Sequence, residues 1–146
     1  MTHKNLVTFL LVEDDDIHAH LVIRSLEKAR VSNRVLRVRD GAEALLFLRR
    51  EGDFAEQPSP DVVLLDLKLP KVDGHEVLSA IKEDESLKMI PVVVMTTSDA
   101  EADRAKAYKH HANSYVVKPI DFEKFRRLVN DLCLYWGVWN EPPQGE

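Results

Sequence analysis

The stretch PDVVLLDLKLPKVDG, residues 60–74, joins an apolar run built for burial to a bare carboxylate. Val62, Val63, Leu64 and Leu65 show no alternation, the pattern of a strand covered on both faces. Asp66 ends the run, Lys68 follows two residues later, and Pro70 comes after that. A charge in that place belongs at the rim where the strand leaves the core, not inside it. Asp73 then precedes GHEVLSAIKE, where Val77, Leu78 and Ile81 recur at helical spacing, so Asp73 is the expected cap of a helix.

The same alternation extends in both directions. LVTFLLV (6–12), RVLRVR (34–39), IPVVVMT (90–96) and SYVVK (114–118) read as four more strands. Between them lie helical stretches. Ile17, Leu21 and Ile23 to Leu26 lean to one side of the first, and Ala42, Leu45, Leu46 and Leu48 follow a plausible cap at Asp40. Ser98 or Asp99 is expected to cap AEADRAKAYKHH. The last helix starts at Asp121 and repeats Phe122, Phe125, Val129, Leu132 and Cys133. A βα unit repeated five times predicts a doubly wound α/β fold: a five-stranded parallel sheet in the order 2-1-3-4-5 with helices on both faces. The polar segment 51–60 reads as a surface loop, residues 1–146 as a single domain, and residues 136–146 as a short C-terminal tail.

Composition narrows the class of function. The 45% hydrophobic and 31% charged content is that of a soluble globular domain, and no apolar stretch approaches the roughly 18 residues of a membrane span. The opening residues lack the features of a secretory leader, and Cys133 is the only cysteine, so a cytoplasmic location is expected. A net charge of −5 argues against nonspecific nucleic-acid binding.

In a sheet of this order, ligands bind beyond the carboxyl ends of the strands where the order reverses. Glu13, Asp14 and Asp15 follow the first strand, Asp66 ends the third, Thr96 and Thr97 the fourth, and Lys118 the fifth. Clustered carboxylates repel, and a cation between them keeps them ionised. An all-oxygen set suits Mg²⁺, with Asp14 and Asp66 as its expected ligands. Lys118 supplies a positive charge and Thr96 a hydroxyl for a phosphoryl group, and a carboxylate beside them can accept that group as an acyl phosphate.

LLVEDDD, VVLLDLKLPKVDG, VVVMTTS and SYVVKP together resemble the receiver domain of two-component response regulators, over roughly residues 6–135. The resemblance implies the flavodoxin-like receiver fold and a signalling role rather than an enzyme acting on other substrates. It implies Asp66 as phosphoacceptor, supplied by a partner histidine kinase. Asp14 is then a direct Mg²⁺ ligand, Glu13 acts through water, and the Lys68 backbone carbonyl is the third protein ligand. Thr96 and Lys118 match the switch hydroxyl and the phosphate-pairing lysine, and Tyr115 the aromatic that rotates with them. GDFAEQPSPDVVLLDLKLPKVDGHEVL, DESLKMIPVVVMTTS and YWGVWNEPP also resemble a narrower group that serves bacterial phytochromes. That implies a phytochrome-type kinase, with output by protein contact or a histidine phosphotransfer protein, and a homodimer through the face of helix 4, strand 5 and helix 5.

Simpler readings stand beside these. Asp15 and Asp16 suit a helix N-terminus without any metal role. Lys118 alone would be a solvated turn lysine, and Tyr115 a strand aromatic. The six histidines lack metal-ligand spacing and read as surface residues, and Cys133 reads as core. Leu134, Tyr135, Trp136, Val138 and Trp139 either cap the domain's own edge or form a dimer interface. A Mg²⁺-dependent aspartate phosphatase would want a second acid where Lys68 stands, and a flavin binder would want a phosphate-cradling loop in place of EDDD.

Overall fold

Five strands, β1 (Val7–Val12), β2 (Asn33–Val38), β3 (Val62–Leu65), β4 (Val92–Thr96) and β5 (Ser114–Val117), alternate with five helices in the computed structural model, which describes residues 6–29 and 31–140. The helices are α1 (Asp16–Glu27), α2 (Gly41–Arg49), α3 (Gly74–Glu83), α4 (Glu101–Lys109) and α5 (Phe122–Leu134). The sheet is parallel throughout, in the order β2-β1-β3-β4-β5. Every residue of β1, β3 and β4 is buried, whereas the edge strands β2 and β5 are largely half-buried. Unbroken apolar runs therefore mark the central strands.

Because successive side chains point to opposite faces, the three central strands feed two cores. Leu10, Val12, Val63, Leu65, Val92 and Val94 pack under α2, α3 and α4. Phe9, Leu11, Val62, Leu64, Val93 and Met95 pack under α1 and α5, together with Phe125, Val129 and Cys133. Burying each large side chain of this kind contributes about 1.5–3 kcal/mol. The register pairs Val12 with Leu65, so the next residues along, Glu13 and Asp66, emerge side by side.

The caps expected at Asp40 and Asp73 form, and Asp121, expected as the first residue of its helix, is its cap instead. Asp40, Asp73 and Asp121 each accept an N–H from the turn they open, and Asp73 forms a reciprocal capping box with Glu76. Asp15 caps α1 through the N–H groups of Ile17 and His18. For α4 the expectation of Ser98 or Asp99 fails. Ala100 occupies the cap with no side-chain bond, and the Ser98 hydroxyl donates to Asp103 Oδ2 instead, at 2.6 Å.

Three further details differ from the helical pattern. Ile17 and Phe122, each in the first turn of its helix, are exposed. The loop 51–60 holds a 3-10 turn, Gly52–Phe54, whose Phe54 ring sits 5.4 Å from that of Phe47. The tail expected from residue 136 starts as a π-turn, Tyr135–Trp139, continuous with α5. Trp136 packs on the α1–α5 core, as a cap of the domain's own edge would, while Trp139 is 70% exposed. The rest of that tail, from residue 141, lies outside the described residues.

Candidate functional site

Glu13 is set by backbone before side chain. Its N–H continues the ladder to the Val38 carbonyl at 3.1 Å, and its own carbonyl accepts from Arg37 Nε and Nη2 at 3.0 and 2.9 Å. Arg37, on β2, also pairs with Asp16 at 2.9 Å. The Glu13 carboxylate then turns inward, where it is 2% exposed. Its Oε2 accepts the Asp15 N–H at 3.1 Å, and its Oε1 meets Lys118 Nζ at 2.6 Å. Burial pushes this carboxyl up to about 7; the Lys118 hydrogen bond opposes the rise, and the neighbouring Asp66 charge adds to it.

Asp66 lies at the mouth of the same pocket, 9% exposed. Its N–H donates to the Val12 carbonyl at 3.2 Å, its Oδ1 accepts from the Lys68 N–H at 3.2 Å, and its Oδ2 accepts from Lys118 at 3.1 Å. The loop that follows is held close by Gly74, whose N–H donates to the Leu67 carbonyl. Any Cβ at position 74 would overlap the Asp66 carbonyl oxygen and the Leu67 Cα. A glycine opens α3 because the helix start presses directly on the backbone carrying Asp66.

Lys118 follows β5, its N–H bonded to the Thr96 carbonyl at 2.7 Å. The side chain is buried rather than solvated, and its third contact is His18 Nδ1 at 3.1 Å. Glu13, Asp66 and Lys118 thus form a buried triad of two acids and one base. Such a group is held in place by its mutual bonds, and removing one member leaves an uncompensated charge.

Thr96, Tyr115 and Asp14 sit around this centre with hydrogen bonds or exposure of their own rather than a hydrogen bond to Asp66. Thr96 is fully buried, and its Oγ1 accepts the Ser98 N–H at 3.3 Å. Tyr115 donates its hydroxyl to the Ser98 carbonyl at 3.0 Å, with the Arg104 guanidinium 5.5 Å from its ring centre. Asp14 is exposed beside Glu13, and Asp16 serves the exposed pairs with Arg37 and Arg39. Among the described residues, no three His, Cys, Asp or Glu side chains converge as a metal cage.

Two histidines depart from the surface reading. His75 is buried at the start of α3, its Nε2 3.3 Å from Asp103 Oδ1, and its Nδ1 is the one buried side-chain polar atom without a partner among the described residues. His18 reaches Lys118. Arg37 and His18 are the site residues that motif reading misses. Neither carries a signal in the sequence, since a histidine in a first helical turn and an arginine on an edge strand are ordinary there.

A five-stranded receiver-type sheet with an acid-base triad at its carboxyl edge defines a class. The sequence profile of the response regulator receiver domain matches residues 9–130, and the chain belongs to that family. Within it, the chain is 50% identical to the probable methanogenesis regulatory protein FilR2 of Methanothrix harundinacea, over 92% of this chain and 86% of that one. It is 39% identical to the response regulator Rcp1 of Synechocystis sp., over 87% of this chain and 86% of the relative. The phosphorylated cyanobacterial phytochrome response regulator RcpA superposes with a TM-score of 0.91 at 40% identity, covering 94% of this chain and 99% of that one. An Mn²⁺-bound structure of Rcp1 gives 0.89 at 37% identity, with coverage of 94% and 99%. The protein is a receiver-domain response regulator similar to phytochrome response regulators.

Proposed function

We propose that the chain accepts a phosphoryl group on Asp66 from a phytochrome-type histidine kinase and signals by protein contact as a single receiver domain. The observation that carries this reading is the position of Lys118, buried between Glu13 and the nucleophile Asp66. An Asp66 carboxylate oxygen attacks the phosphorus of a phosphohistidine; a P–O bond forms as the P–N bond breaks, and its electron pair stays on the donor imidazole. Lys118 remains beside the new phosphoryl oxygens and offsets their charge. The exposed side chains of Ile17 and Ile120 flank this mouth and supply apolar area for the kinase. The phytochrome assignment rests on the likeness to Rcp1 and RcpA.

The donor set fits a divalent cation of the hard, oxygen-loving kind. Glu13 and Asp66 bring two carboxylates to the one ammonium of Lys118, and oxygen donors with an acid in excess are the kind such a cation takes. Asp14, Glu13, Asp66 and the Lys68 carbonyl would hold Mg²⁺, with waters completing the shell as that ion prefers. When bound, it neutralises charge on the carboxylates and on the incoming phosphoryl oxygens.

The output follows from one hydrogen-bond chain. Thr96 Oγ1 holds the Ser98 N–H, and the Ser98 carbonyl holds Tyr115. If Thr96 turns to a phosphoryl oxygen, it gives up Ser98, and the anchor of Tyr115 moves with it. The α4 to β5 surface changes as a result. Onward transfer to a histidine phosphotransfer protein would use the same Asp66 chemistry. For the dimer, the exposed Leu134, Tyr135, Val138 and Trp139 supply an apolar area at the end of α5. Light scattering of Trp139→Ser should show a smaller mass than wild type at micromolar concentration; equal masses would remove this part of the reading.

Intact-protein mass spectrometry with a small phosphodonor and Mg²⁺ tests the core of the proposal. Wild type is expected to gain one phosphoryl increment and Asp66→Asn none. An equal increment in the variant would place the chemistry elsewhere.

A further inference from the structure

We propose that His18 is a positioning residue of the phosphoryl site, holding Lys118 so that its ammonium can turn from Asp66 to a phosphoryl oxygen without leaving its place. This rests on the phosphoacceptor reading above.

A lysine ammonium has three N–H donors and no acceptor. All three are used here: Glu13 Oε1 at 2.6 Å, Asp66 Oδ2 at 3.1 Å and His18 Nδ1 at 3.1 Å. Since Lys118 can only donate, His18 Nδ1 carries the lone pair and the ring proton sits on Nε2. The ring is placed by the α1 cap, where the His18 N–H donates to Asp15 Oδ1 at 3.0 Å. Together His18 and Lys118 border an open cavity of about 270 Å³ whose other walls, Leu21, Thr97, Pro119, Ile120, Phe122 and Phe125, carry no charge. The charged groups around the ring are Lys118, the Glu13 and Asp66 carboxylates that share its ammonium, and the capping Asp15.

The three acceptors differ in what phosphorylation does to them. Asp66 becomes an acyl phosphate, and its bond to Lys118 passes to a phosphoryl oxygen. Glu13 faces the proposed cation as well as the lysine. His18 takes no part in the chemistry, so its bond persists through the step. With Glu13 and His18 both retained, two of the ammonium's three directions stay set, so the third keeps its aim at the Asp66 side chain and meets the phosphoryl oxygen that side chain then carries. With Glu13 alone, the ammonium rotates about a single contact and loses its aim.

Two substitutions separate the acceptor from the bulk of the ring. His18→Leu keeps the volume and removes the acceptor, whereas His18→Asn offers an amide oxygen near the Nδ1 position. With acetyl phosphate and Mg²⁺, the rate of phosphoryl incorporation read by intact mass should fall about tenfold in His18→Leu and stay within about twofold of wild type in His18→Asn. Wild-type rates in both, or equal loss in both, would overturn the proposal. The contact itself is read separately by a double-mutant cycle of His18→Leu and Lys118→Met in urea. Coupling of at least about threefold in the unfolding constant is expected, and none would overturn the proposal. A wild type that takes up no phosphoryl group while the cycle shows coupling would count against the phosphoacceptor reading and leave the Lys118–His18 contact standing.

Discussion

Glu13 is the residue in which burial and charge conflict most. Its folded carboxyl value of about 7 lies above the ordinary 4.5, so across that interval the folded chain holds a proton that the unfolded chain has released. The stability this group contributes is full below about pH 4.5 and declines as pH rises toward 7. Urea midpoints measured from pH 4.5 to 7 should therefore show wild type losing on the order of 2 kcal/mol relative to Glu13→Gln. Parallel curves would mean the carboxyl ionises normally. At this scale Asp66, Glu13 and Lys118 were legible because each ends a strand, where a charge has no reason to be unless it faces the rim. Arg37 and His18 were not, because an arginine on an edge strand and a histidine on a helix are ordinary there. Only their partners, the Glu13 carbonyl and the Lys118 ammonium, give them a role.

Among the five α-helices, α4 buries the fewest residues. It buries a single residue, Ala107, and opens at Ala100 without a side-chain cap, whereas α3 buries five residues behind a full capping box. What ties α4 down is polar: Asp103 accepts from Ser98 at 2.6 Å and faces His75 at 3.3 Å. Those two hydrogen bonds hold the Asp103 carboxyl below the usual aspartate range. Amide hydrogen exchange should be faster along α4 than along α3 or α5, since local opening exposes little apolar surface there. Comparable protection would show that the Ser98–Asp103–His75 contacts stabilise more than they are credited with. Strands and helices were legible from periodicity alone, and the caps at Asp40 and Asp73 from residue type. The cap of α4 was misread because Ser98 has a competing partner five residues on, and residue type does not say which bond a hydroxyl makes.

For the whole molecule, the two cores are separable by experiment. Cys133 lies at the base of the α1–α5 core with no exposure, near Asn33, and burial pushes its thiol up. A maleimide or disulfide reagent should leave the native protein unlabelled for as long as it stays folded and label it promptly in urea. Prompt native labelling would show that the α1–α5 core opens locally. The amino-acid sequence by itself determined the class of fold, the central strands, the two-faced core and the acidic and basic residues at the strand ends. Those features follow from alternation and composition within about ten neighbouring residues, which is where periodicity acts. The tertiary structure alone decided that Lys118 meets His18 as well as Glu13, that Arg37 clamps the Glu13 carbonyl, and that one indole of the tail is inside and the other outside. Each depends on how far a helix is rotated on the sheet and which of several permitted partners it then meets. That is settled by packing between segments up to a hundred residues apart.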